Sequence, residues 1–207
     1  MLSLPTTVVI ASRNRGKVEE LRSLLSTWGI VEVRGIGEFP GAPEPDEKGV
    51  SYAENAREKA AAGAAATGLP TLGEDSGLEV DALGGRPGIH SARYGGPGLT
   101  DVDRVTRLLA ELEGIPEERR AAAFHAVAVL SWPDGRTVEG AGECRGRIAF
   151  APRGSNGFGY DPVFIEPESG RTFAEMSPPE KARVDHRGRA LGALHGALVE
   201  CRETARE

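Results

Sequence analysis

Cysteine is almost missing from this chain: Cys144 and Cys201 are the only two in 207 residues. Separated so widely, they supply neither a disulfide framework nor a zinc quartet, and the 4 histidines show no metal-ligand spacing. No apolar run approaches the roughly 18 residues that a membrane span needs, and the N-terminus shows no hydrophobic signal core. A soluble, cytoplasmic protein is expected. Positive charge is also short, with 25 Lys and Arg against 31 Asp and Glu for a net charge of −6, and only 5% of residues are aromatic. Basic and aromatic residues are not interleaved, so a surface that coats nucleic acid is disfavoured. Any polyanionic partner must meet a local basic pocket instead. Internal repeats and long linkers are absent, and 207 residues suffice for one large domain, or two lobes around a shared sheet, with a real core.

Strand and helix patterns alternate along the chain. Thr7 to Ala11 is a short β-branched strand, after which Val18, Leu21, Leu25 and Trp28 recur at helical spacing until Gly29. Ser51 with Glu54 three residues on predicts a capping box, opening an Ala-rich helix that runs to about Thr67 and stops at Gly68. Thr100 with Asp103 marks another start, and Val105, Leu108 and Leu112 form its apolar stripe. Phe124 to Trp132 and Thr137 to Ile148 read as a hairpin around Pro133-Asp134-Gly135. Leu191, Leu194, Leu198 and Cys201 mark a final amphipathic helix. Such a mixture predicts an α/β fold with a mixed sheet and flanking helices.

Chemistry concentrates in a few segments. In GEDSGLEVDALGGRPGIHSAR, from Gly73 to Arg93, the alternation of Leu78, Val80 and Ala82 with Glu79 and Asp81 predicts a half-buried strand, with Glu74, Asp75 and Ser76 on the turn entering it. Carboxylates crowded at a strand mouth repel unless a divalent cation or a shared proton relieves them, and Mg²⁺ takes such oxygen ligands while leaving positions for phosphates. The same residues also fit a polar turn in which Asp75 caps its own backbone. Ser12-Arg13-Asn14-Arg15-Gly16-Lys17 lies between strand and helix, where amides, a hydroxyl, a carboxamide and cations can cradle phosphate. It lacks Walker A glycine spacing, and Asn14 could equally be a plain helix cap. Asn55 and Lys59 share one helix face. Phe158-Gly159-Tyr160-Asp161 offers an aromatic face, a close-approach point and a carboxylate, or else a buried edge strand, and Lys181, His186 and Arg187 add donors.

EDSGLEVDALGGRPGIHSARYGG resembles the signature of the inosine triphosphate pyrophosphatase family, house-cleaning enzymes also called dITP/XTP pyrophosphatases. Further blocks follow the family order and span nearly the whole chain: ASRNRGK, a Glu-x-Gly followed by SYAENAREKA, then FGYDPVF, TFAEM and EKARVDHRGRAL. The resemblance implies an elongated mixed sheet in two lobes around an active cleft, one domain over residues 1–207, and a homodimer. It implies Mg²⁺-dependent cleavage of ITP, dITP and XTP between the α and β phosphates, giving the monophosphate and pyrophosphate. Ser12, Asn14 and Lys17 would contact the nucleotide, with Lys17 near the triphosphate, and Asn55 and Lys59 would face the phosphates. Glu47 and Asp75 would hold the metal with Glu74 assisting, and Asp75 would activate water. If the acidic loop Glu44 to Glu47 is shifted by one, Asp46 replaces Glu47. Ser76, Phe158, Gly159, Tyr160, Asp161, Lys181, His186 and Arg187 would line the nucleotide site, with His186 and Arg187 reaching the purine. The alternatives are a related pyrophosphatase for other modified nucleotides and a non-catalytic nucleotide-binding module. Two positions depart from the family pattern. Glu74 stands where relatives carry Asp, and Asp185 stands where they carry Ser, from which a carboxylate could pair with Arg187.

Overall fold

A computed structural model describes residues 4–42 and 48–203. The principal elements are β1 (Thr7–Ile10), α1 (Arg15–Ser26), β2 (Glu32–Gly35), α2 (Tyr52–Thr67), β3 (Thr71–Val80) and α3 (Asp101–Glu111), then β4 (Ala121–Ser131), β5 (Thr137–Ile148), β6 (Phe164–Ile165), α4 (Pro178–Val184) and α5 (His186–Glu203). The six strands form one sheet in the order β2-β1-β3-β4-β5-β6. It is mixed, as expected: β1 runs parallel to β2 and β3, while β5 and β6 are antiparallel. The hairpin joining β4 to β5 closes where Trp132 N donates to Arg136 O (2.9 Å) and Gly135 N to Trp132 O (3.0 Å).

Local chemistry sets the helix boundaries. Asn14 Oδ1 accepts from Lys17 N (3.2 Å) and so caps α1. Ser51 Oγ accepts from Glu54 N (3.2 Å) at the head of α2, but the Glu54 carboxylate takes Val50 N (2.8 Å), one residue earlier than a capping box would use. Gly68, at φ 68°, ends α2 in the left-handed conformation that glycine adopts without a Cβ penalty. At α3 the reciprocal box is complete, with Asp103 N donating to Thr100 Oγ1 and Thr100 N to Asp103 Oδ2.

The chain divides into two compact units, Met1–Asp75 with Ala126–Gly142 and Arg187–Glu207, and Ser76–His125 with Glu143–His186. The first has a core of β1, α1, β3 and α5 side chains, including Ile10, Leu21, Leu25, Leu72, Leu191 and Leu194. In the second, Leu78, Leu108, Phe124, Phe164, Phe173 and Met176 pack together, with Phe124 edge-on to Phe164.

Residues 74–76 prove to be strand, not the turn that the sequence pattern predicts, since β3 already begins at Thr71 and pairs in parallel with β1 through Val9↔Thr71 and Ile10↔Leu72. Apolar periodicity does not show this because the polar residues there are themselves buried. Glu74 and Asp75 are each 4% exposed. The strand ends at Val80, and Asp81–Leu83 turn as a 3-10 helix. The possible edge strand at 158–164 is also shorter, since only Phe164–Ile165 pair with β5 and residues 159–163 are turn. β2 is not among the strands read from the sequence, although Val31 and Val33 alternate there with Glu32 and Arg34.

Gly73 explains how α2 approaches β3. A Cβ there would sit 2.2 Å from Ala56 O and 2.6 Å from Ala60 N, both helix backbone atoms. Gly73→Ala is expected to cost on the order of 1–3 kcal/mol through overpacking, read as a lower urea midpoint. An unchanged midpoint would mean that α2 moves aside freely.

Candidate active site

Consecutive strand residues point to opposite faces of a sheet, and the two acids of β3 follow that rule. Asp75 is on the face of Gly73, towards α2. Its Oδ1 accepts from Lys59 Nζ (2.8 Å) and its Oδ2 from Asn55 Nδ2 (2.9 Å). Lys59 Nζ also donates to Glu74 O (3.3 Å), and Asn55 Oδ1 accepts from Gly49 N (2.9 Å), which ties the segment after residue 47 to the Asp75 side. Glu74 takes the other face, with Leu72. There Lys17 Nζ of α1 lies 2.8 Å from its Oε2, and Arg187 Nε of α5 donates to its Oε1 (3.3 Å). Arg187 Nη1 is bonded in addition to Glu20 of α1.

The crowding of two adjacent carboxylates expected from the sequence is therefore absent. Each acid has its own cations instead. Burying a charge is costly unless it is paired and hydrogen-bonded. Here Lys17, Lys59 and Arg187 stand against Glu20, Glu74 and Asp75, three charges of each sign. Asn55 and Lys59, which could have been a solvated helix face, are 1% and 7% exposed. Glu20 is not among the residues that the sequence motifs single out, although its position three residues after Lys17 puts both on one face of α1. In the loop before α1, Ser12 Oγ accepts from Asn14 N (3.2 Å) while the Asn14 side chain is spent on the cap.

The second unit holds the later candidates. Lys181 Nζ donates to Asp161 Oδ2 (2.6 Å) and lies 5.3 Å from the Phe158 ring centroid and 5.6 Å from that of Phe173. Asp161 Oδ2 also accepts from Phe158 N (3.0 Å), which closes the turn. Gly157 is required beside it, since at φ 74° a Cβ would fall 2.0 Å from that oxygen. Tyr160 Oη donates to Ser91 O (3.0 Å), and burial pushes its phenol well above the ordinary value. His186 is 2% exposed and stacks on Phe124 at 4.5 Å with an interplanar angle of 7°. Ser76 is half-buried in β3. His186 and Arg187, adjacent in sequence, thus belong to different groups, and Arg187 is found on Glu74 and Glu20. Asp185 ends α4, its amide donating to Lys181 O (2.9 Å).

Glu47 and Asp46 lie outside the described residues, and among the described residues no three His, Cys, Asp or Glu side chains cluster as a metal site. The donors that are described still suit one kind of ion. Mg²⁺ is commonly held by one or two carboxylates plus substrate phosphates and water, and Asp75 is a buried carboxylate whose partners are a lysine and an amide. Glu74, on the opposite face of β3, does not share that position.

The sequence model of the Ham1 family matches residues 8–197, and the chain belongs to that family. Among its relatives, the dITP/XTP pyrophosphatase of Geobacillus kaustophilus is 48% identical over 90% of this chain and 91% of its own. That of Thermus thermophilus is 51% identical over 90% and 89%. A solved HAM1 protein from Coxiella burnetii superposes with a TM-score of 0.81 at 40% identity, covering 94% of this chain and 98% of that one. The family resemblance and the α/β fold read from the sequence are thereby established. No helix among the described residues is long and apolar enough to cross a membrane.

Proposed function

We propose that this protein is a Mg²⁺-dependent pyrophosphatase of deaminated purine nucleoside triphosphates, ITP, dITP and XTP, cutting between the α and β phosphates. The observation that carries the reading is buried Asp75, with Lys59 and Asn55 on its two oxygens, in a chain about half identical to proteins named dITP/XTP pyrophosphatase. Bound Mg²⁺ supplies charge neutralisation on the phosphates. Asp75 holds it together with Glu47 or Asp46, and Asp75 also takes the proton of the attacking water. Lys59 and Lys17 turn from carboxylate to phosphate oxygens, beside Ser12, Asn14 and the first amides of α1. Glu74, expected to assist at the metal, acts instead by orienting Lys17 and Arg187. Phe158 stacks on the base, Gly159 and Tyr160 shape the turn against it, and Asp161, Lys181, His186 and Arg187 present polar groups to its edge, while Ser76 lies next to Asp75 in the chain. A homodimer in the cytoplasm belongs to the same proposal.

The test is pyrophosphate release over a panel of triphosphates with and without Mg²⁺. ITP and XTP are expected to exceed ATP by about 10²-fold or more, as a site with unpaired polar groups rejects the wrong base. Equal rates on ATP, or undiminished release in chelator, would overturn the reading. Glu47→Gln should raise the Mg²⁺ concentration for half-maximal rate about tenfold, the scale of one lost charged contact, with kcat kept at saturating metal. An unchanged requirement would point to Asp46 or to no ligand in that loop.

A further inference from the structure

Two consecutive amides of the 158–161 turn are each taken by a carboxylate. Phe158 N donates to Asp161 Oδ2 (3.0 Å) within the turn, and Gly159 N donates to Asp101 Oδ2 (2.8 Å), 58 residues away at the first position of α3. Asp101 is itself steadied, because Arg104 Nη1, one turn along α3, lies 3.4 Å from its Oδ1. The Thr100–Asp103 box beside it fixes where the helix begins. Gly159 needs such a hold. It sits at φ 61°, in the left-handed region that glycine enters freely, and nothing lies within 4 Å of where a Cβ would be.

We propose that Asp101 is a positioning residue for base recognition. By accepting from Gly159 N it fixes the Phe158–Gly159 peptide, and with it the direction in which the Phe158 ring is offered to the purine. The inference rests on the function proposed above. Asp101 is not assigned to the substrate or the reacting atoms, and its side chain is 52% exposed, so little packing is lost with it.

Asp101→Ala and Asp101→Asn separate this role from a structural one. Both remove the first-turn charge that favours α3, but only asparagine keeps an oxygen that can accept from Gly159 N. Their difference therefore reports the acceptor alone. Steady-state rates on ITP and ATP and a melting curve are measured for both variants and the wild type. Asp101→Ala is expected to raise KM for ITP about 10- to 150-fold, the range for one hydrogen bond to a charged group, with kcat little changed. Asp101→Asn should bring KM most of the way back, while both melt alike. Equal KM values in the two variants would overturn the proposal. So would a parallel fall of kcat on ITP and ATP that follows a lower melting temperature. A wild type that does not hydrolyse ITP would sink the functional reading, and this one with it, before any variant is compared.

Discussion

Asp75→Asn is expected to lower kcat on ITP by about 10²- to 10⁴-fold, the usual loss when a general base is removed. The amide oxygen can still accept from Asn55 Nδ2, so the local shape survives. What is lost is the capacity to take a proton and the charge that would hold a cation. Stability should fall as well, because the Lys59 side chain, 9% exposed, faces Asp75 Oδ1 at 2.8 Å and would lose its counter-charge. Adding Lys59→Met removes the stranded ammonium. The double variant should therefore melt above Asp75→Asn while remaining inactive, because stability and catalysis use the same carboxylate differently. Near-normal kcat in the folded single variant would take Asp75 out of the chemistry. A double variant melting below the single would show that the two side chains are not coupled.

Arg187→Ala is expected to cost about 3–5 kcal/mol, the range for breaking a buried pair by removing one partner. The lower end applies, since Glu74 keeps Lys17, and the Glu20 side chain is 21% exposed and can be rehydrated. Urea unfolding measures the loss, and Glu74→Gln in the same background should recover part of it. Kinetics then decide what else the guanidinium does. Once corrected for the folded fraction, a fall in kcat/KM on ITP of about 1.5–3 kcal/mol with ATP little changed would assign Arg187 to the 6-oxo group of the base. Equal falls on both would assign it to Lys17, Glu74 and the phosphates.

Elements whose boundaries depend on neighbours in sequence are legible in the chain itself. The starts of α2 and α3, the stop at Gly68 and the hairpin at Asp134 each follow from side chains within a few residues. The block order reveals the family for a related reason, since it records which residues must occur and not where they meet. Partnerships across the chain are hidden. Arg187 finds Glu74 at a separation of 113 residues, and its nearest neighbours in sequence, Asp185 and His186, suggest different company. The beginning of β3 is concealed by its own chemistry, since alternation is read from apolar residues and here the buried positions are occupied by paired ions. Glu20 does leave a trace in its spacing to Lys17, which sets opposite charges on one face of α1.

The division of labour between Glu74 and Asp75 rests on nothing but odd and even. Exchanging them would leave composition, net charge and strand length untouched, yet would send the shorter acid towards Lys17 and the longer one towards Lys59. One residue gained or lost between Thr71 and Gly73 would do more, turning every later side chain of β3 through half a revolution. A loss would press Glu74 against the α2 backbone that tolerates only Gly73, and a gain would put it in the place of Asp75. A single substitution in β3 thus disturbs at most one of the two charge clusters, whereas a change in the number of residues ahead of the acids dismantles both at once.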